Sequence, residues 1–232
     1  MIHWLTQSHT ELPSPLQAME SAKYLNEEEQ TRYLMLKTRK RRSDWLLGRW
    51  TAKRLLQTVI WEKDGITLPL DMITIRNNED GVPDYHSPMA KHRFSISISH
   101  SHEHAFVAVI EKPDVPVGAD IELIQARPKG FAETYFTLAE ICLGNDLTGQ
   151  ERALWETAVW SAKEAVLKAL HLGLSVDTRA VSCLIEPVTR LPQTWIPFAV
   201  KCDDGRLPQA ALPLNGWWRV DGNFVLTIAV GV

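Results

Sequence analysis

The sequence has few cysteines, no long apolar run and no targeting signal. Its 232 residues include three cysteines, Cys142, Cys183 and Cys202, with no CxxC spacing, so it contains neither a fully paired disulfide framework nor a zinc signature. No apolar run approaches the roughly 20 residues that cross a bilayer, and the first residues do not resemble a signal peptide. These absences favour a cytoplasmic protein without a membrane partner.

The charge balance of the whole chain excludes little. Lys and Arg number 25 against 28 Asp and Glu, which gives a formal net charge of -3. That total offers no argument for a nucleic-acid or membrane partner. The composition, with 45% hydrophobic and 23% charged residues, is that of an ordinary globular protein. A chain of this length can bury a core without disulfides or structural metals. Function must therefore be sought in local patterns.

The first half of the chain combines helical periodicity with strand patterns. Residues 1–20 suggest an extended arm, and Asn26 followed by three glutamates predicts a helix N-terminus. Apolar residues at helical spacing then predict an amphipathic helix with a strongly basic outer side, which ends at Asp64. Further on, the strict alternation of Phe94–Ser99 predicts a half-buried strand that forms a hairpin with residues 105–110.

The second half shows a similar combination. Capping-box patterns at Thr137 and Thr148 each predict a helix N-terminus. The second of these helices is long, and Gly173 is its expected stop. Strand-like segments follow, and Asp221-Gly222 predicts a hairpin between the last two.

Together these patterns predict an α+β fold of two similar halves, each a small antiparallel sheet with a long helix. Pro113 and Pro116 mark the break, so we expect an N-terminal half at 1–113 and a C-terminal half at 114–232. We also expect the halves to form one pseudo-dimeric catalytic unit, with the active site in the cleft between them.

Asp120 and Glu122 stand two apart in a predicted strand at residues 117–123. Side chains two apart on a strand point to the same side, so these carboxylates repel each other unless a cation or protons intervene. A hard divalent ion such as Mg²⁺, bound through oxygen, would remove that repulsion. Spacing alone favours the simpler interpretation, a solvated edge strand with scattered acids.

Glu164 and Lys168 stand four apart in the predicted long helix and therefore share one face. The usual interpretation of such a pair is a surface ion pair. Here the flanking residues, among them Trp160, Val166 and Leu167, indicate a mostly buried helix with a narrow charged stripe. Charges in such a place are costly unless they have partners, and a metal and a phosphate would supply them.

A basic run and a serine–histidine pair are further candidates. The run from Lys37 to Arg54 is compatible with a solvated helix face, a nucleic-acid patch or the seat of a small polyanion. Nucleic acid is the weaker choice, because no recognised nucleic-acid module is visible. Ser99 and His100, at a strand end, suit a phosphate or ribose contact. His102 and the other nearby histidines do not stand at zinc-ligand spacing.

Five stretches, taken together and in this order, resemble the 4'-phosphopantetheinyl transferase superfamily, and in particular its larger, two-halved class that activates carrier proteins. These stretches are an arginine-and-glycine helix at 42–49, a serine–histidine strand end at 94–101, Gly-x-Asp-x-Glu at 118–122, an aromatic pair leading to an acid at 135–140, and Trp-x-x-Lys-Glu-x-x-x-Lys at 160–168.

The resemblance implies a Mg²⁺-dependent transfer of 4'-phosphopantetheine from coenzyme A to a serine of an apo acyl or peptidyl carrier protein. The serine hydroxyl would attack the β-phosphorus, and adenosine 3',5'-bisphosphate would leave. Such chemistry needs positioning and charge neutralisation more than covalent catalysis. The carriers that the resemblance allows serve fatty-acid, polyketide, nonribosomal-peptide or siderophore synthesis.

The resemblance also implies roles for individual residues. The metal ligands would be Asp120, Glu122 and Glu164. The catalytic residues would be Glu164, which takes the serine proton directly or through a water, and Lys168, which binds the pyrophosphate. The residues that bind coenzyme A would be Arg42, Arg49, Ser99, His100, Lys163 and Lys168.

Two positions depart from the family pattern. Val82 stands where the family often has a lysine near the nucleotide, and Asp44 stands where it often has a cation. The way in which the 3'-phosphate end of coenzyme A is held therefore stays open. Two halves in one chain favour a monomer.

Two other functions fit the same residues. One is a Mg²⁺-dependent hydrolase of phosphate esters, because three carboxylates and a lysine would serve that chemistry too. The other is a non-catalytic module that binds coenzyme A or a carrier protein. The complete set of Asp120, Glu122, Glu164 and Lys168 argues against the second.

Overall fold

A computed structural model of the protein describes residues 1–17, 24–78, 81–89, 91–203, 205–207 and 212–232. The chain forms two compact units, Met1–Asp114 (unit 1) and Val115–Val232 (unit 2). The division expected from the prolines lies one residue away from this boundary.

Unit 1 is an antiparallel five-stranded sheet with one long helix against it. The sheet order is β1-β5-β4-β3-β2. The elements, in chain order, are β1 (Ile2–Ser8), α1 (Ser14–Gln17), α2 (Glu27–Met35), α3 (Arg39–Asp64), β2 (Thr74–Asn77), β3 (Pro83–His86), β4 (Ser95–Ser101) and β5 (His104–Ile110).

Local chemistry sets the ends of the helices in unit 1. Asn26 caps α2, because its side chain accepts from the Glu29 amide while the Glu29 carboxylate accepts from the Asn26 amide. Helix α3 ends at Gly65, whose φ of 67° is the left-handed conformation that glycine adopts at no steric cost. The apolar side of α3 packs on β4 and β5, where a methyl at Gly48 would lie 3.1 Å from Ile98 Cγ2.

Unit 2 has the same plan. Its sheet order is β6-β10-β9-β8-β7, so in both units the first strand pairs with the fifth and the second lies at the far edge. The elements are β6 (Val117–Leu123), α4 (Phe131–Tyr135), α5 (Leu138–Leu143), α6 (Gly149–Ala169), β7 (Val181–Leu184), β8 (Ile196–Cys202), β9 (Leu214–Asp221) and β10 (Phe224–Gly231). The predicted α+β fold of two similar halves is confirmed.

A buried ion pair ties the long helix to the preceding helix in each unit. In unit 1, Lys53 Nζ of α3 lies 2.5 Å from Glu29 Oε2, and Glu29 Oε1 accepts from the amide of Ile75. In unit 2, Lys163 Nζ of α6 lies 2.8 Å from Glu140 Oε2, and Glu140 Oε1 accepts from the Cys183 amide. Both glutamates also close a capping box, so each pair connects two helices and a strand.

Several strand expectations needed correction. The N-terminal arm is not free but forms β1, which pairs with β5 from Ile2↔Ile110 to Ser8↔His104. Residues 72–75 have the composition of a strand, but β2 begins only at Thr74, after a 3-10 turn. Strand β4 continues through His100 and Ser101, and only two residues connect it to β5.

The helix expectations hold except at three points. Thr148 precedes α6, but its side chain makes no capping hydrogen bond. Helix α6 ends at Ala169, before the expected stop at Gly173. The outer side of α3 is basic only in part, because Arg49 and Lys53 are buried. None of the helices in the described parts of the chain is long and apolar enough to span a membrane.

Candidate active site

One face of β6 lies directly under α6 and carries two carboxylates. Gly118 marks the contact, since a methyl group there would lie 1.8 Å from the Ala165 carbonyl oxygen. Residues two apart on a strand share a face, so Asp120 and Glu122 are turned toward the same helix as Gly118. Asp120 is 1% exposed, whereas the side chain of Glu122 is 19% exposed. The interpretation as a solvated edge strand is therefore wrong about solvation, because Asp120 is buried, although β6 does lie at the edge of its sheet.

One face of α6 meets this strand with a serine, a glutamate and a lysine. Ser161, Glu164 and Lys168 lie three and four residues apart, which places them in a row along the helix. Lys168 Nζ lies 2.6 Å from Asp120 Oδ1 and 3.8 Å from Glu164 Oε2. Glu164 and Lys168 thus lie on one face of α6, and Lys168 has a further partner in Asp120. The metal and the phosphate expected as partners of this pair stay a prediction.

Two hydroxyls that the sequence did not single out fix the position of Asp120. Ser161 Oγ donates to Asp120 Oδ2 at 2.8 Å, and Thr227 Oγ1 of β10 donates to the Ser161 carbonyl at 2.9 Å. Asp120 thus has partners at both carboxylate oxygens. Ser161 could have been found from its place on the helix face, but Thr227 lies opposite Asp120 only through the pairing of β6 with β10.

Glu122 also has a partner that the sequence did not predict. Arg127, in the loop after β6, donates from Nη2 to Glu122 Oε2 at 3.1 Å. Its guanidinium carbon lies 5.2 Å from the centre of the Phe131 ring. The carboxylate is thereby neutralised by a side chain that stands five residues further along the chain.

The three carboxylates act on one another electrostatically. Burial, reinforced by the negative charges of Asp120 and Glu122, raises the pKa of Glu164 to about 7. Burial and the charge of Asp120 likewise raise the pKa of Glu122, against the opposing effects of Arg127 and Lys168. Unit 2 therefore concentrates negative charge beside a half-exposed lysine.

Carboxylate oxygens are the ligands that a hard cation such as Mg²⁺ prefers, so the donor chemistry fits that ion. In the described parts of the chain, however, no group of three or more His, Cys, Asp or Glu side chains is arranged so that it could hold a metal. The present counter-ions of the predicted ligands are Lys168 for Asp120 and Arg127 for Glu122.

Lys163 points away from this cluster. Its side chain is fully buried, and its ammonium contacts Glu140 and donates to the carbonyls of Thr178 and Val181 at 3.0 and 2.5 Å. The predicted contact between Lys163 and coenzyme A finds no support in this placement, because the ammonium is enclosed by protein.

The predicted coenzyme A ligands of unit 1 include two arginines with structural partners. Arg42 Nε donates to the Leu36 carbonyl at 2.8 Å, at the end of α2. Arg49 Nη2 donates to Asn77 Oδ1 at 2.9 Å, and its guanidinium carbon lies 4.9 Å from the centre of the Trp45 ring. Burial lowers the pKa of Arg49 to about 10, and its buried Nε has no hydrogen-bond partner in the part of the chain that the structure describes.

Ser99 and His100 are neighbours on β4 and point to opposite sides of the sheet. Ser99 is 6% exposed, whereas His100 is exposed. Of these two, His100 is accessible to a ligand from solvent without rearrangement of the strand.

Comparison with known proteins gives the same family as the motifs. Residues 116–220 match the family model of the 4'-phosphopantetheinyl transferase superfamily. A stretch of 86 residues is 33% identical to a holo-[acyl-carrier-protein] synthase of Anoxybacillus flavithermus, and the match covers 37% of this chain and 71% of that protein. The matched region contains the β6–α6 cluster, by which we mean Asp120, Glu122, Ser161, Glu164 and Lys168.

Solved structures similar to this chain include further holo-[acyl-carrier-protein] synthases. One from Bacillus anthracis, in complex with CoA (3',5'-ADP), is 24% identical with a TM-score of 0.39 and covers 47% of this chain and 91% of its own. One from Helicobacter pylori, in complex with coenzyme A, is 18% identical with a TM-score of 0.39 and covers 48% and 100%. Similarity at this level does not bear on the site.

Proposed function

Because the chain belongs to the 4'-phosphopantetheinyl transferase superfamily and is a phosphopantetheinyl transferase, we propose that it transfers 4'-phosphopantetheine from coenzyme A to a serine of an apo carrier protein. Adenosine 3',5'-bisphosphate is the second product. The observation that carries the proposal is the β6–α6 cluster, in which a half-exposed lysine lies among three mutually repelling carboxylates.

The residues of the cluster have separate tasks in this reaction. The carrier serine oxygen attacks the β-phosphorus, and Glu164 takes the proton of that hydroxyl. Lys168, already turned toward the site by Asp120, binds the pyrophosphate and steadies the leaving nucleotide. Ser161 and Thr227 keep Asp120 in place behind these groups.

Asp120, Glu122 and Glu164 would hold the Mg²⁺ that the family resemblance implies. A bound Mg²⁺ would supply charge neutralisation at the pyrophosphate. The mutual repulsion of these carboxylates supports the assignment, because a cation among them relieves it.

The nucleotide end of coenzyme A is assigned to unit 1. We keep Ser99, His100, Arg42 and Arg49 as its proposed contacts, with His100 the most accessible of the four. Lys163 is given a packing role instead. The proposed partners are coenzyme A and an acyl or peptidyl carrier protein, and we propose a monomer that works in the cytoplasm.

Mass spectrometry of apo carrier proteins incubated with the protein, coenzyme A and Mg²⁺ tests the function. We expect a gain of one phosphopantetheine on at least one carrier of a panel drawn from fatty-acid, polyketide and nonribosomal-peptide systems. Asp120→Ala and Glu164→Ala should abolish the gain, whereas Lys201→Ala, at an exposed lysine of β8, should not. Release of nucleotide without a gain on any carrier would instead indicate a hydrolase.

A further inference from the structure

Arg127 is a positively charged residue beside the cluster, and the proposed reaction gives it no role. Its side chain is 12% exposed and forms an ion pair with Glu122 at 3.1 Å. Its Nε is buried and has no hydrogen-bond partner among the described residues. A buried donor without a partner costs stability. A purely structural role therefore explains the ion pair of Arg127 poorly.

In the described parts of the chain, an aromatic ring rather than a backbone carbonyl supports the guanidinium of Arg127. It lies over Phe131, whose ring centre is 4.9 Å from that of Tyr135 and 5.3 Å from that of Trp160. Trp160 belongs to α6 and precedes Glu164 by one helical turn. A ring face attracts a cation but does not fix its direction as a carbonyl does, so Arg127 can leave Glu122 without giving up its support.

The charges of the cluster indicate what Arg127 does there. Three carboxylates, Asp120, Glu122 and Glu164, repel one another and are faced by two cations, Lys168 and Arg127. Lys168 is required for the pyrophosphate. Arg127 is therefore the cation that can be replaced when another positive charge enters.

We propose that Arg127 is a positioning residue that neutralises Glu122 until a divalent cation replaces it, so that Arg127 sets how tightly the site binds that cation. The inference rests on the metal assignment made under the proposed function. It goes beyond that assignment, because it predicts that the removal of a nearby side chain strengthens the binding of the metal.

Mn²⁺ titrations followed by electron paramagnetic resonance test the exchange without reference to activity. Arg127→Gln should bind Mn²⁺ about tenfold more tightly, since the ion no longer displaces or meets a cation at a half-buried carboxylate. Arg127→Lys, which keeps the charge, should return most of the way to the wild-type affinity. Phe131→Leu, which removes the ring under the guanidinium, should fall between the wild type and Arg127→Gln.

Arg152→Gln is the matched control. Arg152 forms an ion pair with Glu156 at 2.8 Å, and both lie on α6, two turns or more before the glutamate and lysine of the cluster. The substitution of Arg152 should therefore leave the Mn²⁺ affinity unchanged. Equal or weaker binding by Arg127→Gln would overturn the proposal, and so would a wild type that binds no Mn²⁺. If Arg127→Gln does not fold, Phe131→Leu alone decides. Tighter Mn²⁺ binding than in the wild type supports the proposal, and unchanged or weaker binding overturns it.

The transferase assay on the wild type separates this inference from the function itself. A wild type that modifies a carrier, with Mn²⁺ affinity that does not respond to Arg127, refutes the exchange and leaves the function standing. A wild type that modifies no carrier refutes the function, and the Mn²⁺ titrations then still judge the role of Arg127.

Discussion

The burial of Lys163 predicts that its replacement harms stability more than it harms the binding of coenzyme A. The change to make is Lys163→Met, which keeps an unbranched side chain and removes the ammonium. In the wild type this group has no exposed surface and serves Glu140 together with the carbonyls of Thr178 and Val181. The substitution leaves a buried carboxylate and two buried carbonyls without this donor.

The expected loss follows from those partners. Removal of one member of a buried ion pair costs about 3–5 kcal/mol. Glu140 retains donors from the amides of Thr137 at 2.7 Å and Cys183 at 2.6 Å, so its charge is not left bare and the lower part of the range applies. We expect the free energy of unfolding to fall by about 3 kcal/mol. The double variant Lys163→Met/Glu140→Gln should recover part of that loss, because no unpaired charge then remains buried.

Urea unfolding followed by tryptophan fluorescence measures this loss, and calorimetric titration with coenzyme A measures affinity on the folded protein. Lys201→Met, at an exposed lysine in the same unit, should change the unfolding free energy by less than about 0.5 kcal/mol. The reasoning fails if Lys163→Met unfolds at the wild-type urea concentration but binds coenzyme A far more weakly. That result would restore Lys163 as a ligand of coenzyme A.

Two further predictions concern the scaffold. Lys53→Met should lower the free energy of unfolding by about 3–5 kcal/mol in the same urea assay, because it leaves the buried Glu29 without its ammonium partner. A loss no larger than that of Lys40→Met, at an exposed lysine, would contradict this. Gly118→Ala should push β6 away from α6, cost at least about 1–3 kcal/mol and abolish transfer to the carrier, whereas Gly205→Ala, at an exposed glycine, should behave as the wild type.

The parts of the fold that depend on local chemistry could be predicted from the sequence. The start of α2 at Asn26 and the end of α3 before Gly65 follow from capping groups that lie within a few residues of each helix end. Strand β1 was missed because its partner β5 lies about a hundred residues away, and nothing local indicates their pairing. The turn from β4 to β5 was misplaced because His102 and Glu103 adopt positive φ angles of 46° and 61°, which non-glycine residues seldom do.

The candidate site, too, could be predicted from the sequence only where the residues lie within one element. Spacing alone places Asp120 beside Glu122 and Glu164 beside Lys168, because each pair lies within one element. The contact between strand and helix that brings the pairs together depends on tertiary packing at Gly118. Burial, which spacing cannot give, shows that Lys163 belongs to the core even though it is the neighbour of Glu164 in sequence.

The repeated plan of the two units explains what in unit 2 is scaffold and what is chemistry. Besides the ion pairs of Lys53 and Lys163, each unit has a tyrosine edge-on to a tryptophan of its long helix, 5.1 Å apart in unit 1 and 5.2 Å apart in unit 2. When the units are matched by these pairs and by the registers of their sheets, the positions of Asp120, Glu122, Glu164 and Lys168 correspond to Leu5, Gln7, Arg54 and Thr58.

Unit 1 therefore keeps the sheet, the long helix and the buried ion pair without any of the four charged residues of the cluster. The scaffold residues Lys163 and Glu140 have counterparts of the same charge in unit 1, Lys53 and Glu29. The three carboxylates of the cluster have no carboxylate at the matching positions of unit 1. An ion pair that occurs at equivalent places with and without the cluster cannot owe its existence to the reaction. This contrast separates Lys163 from Glu164 and Lys168, and it supports the proposal that the chemistry belongs to the residues that unit 2 does not share with unit 1.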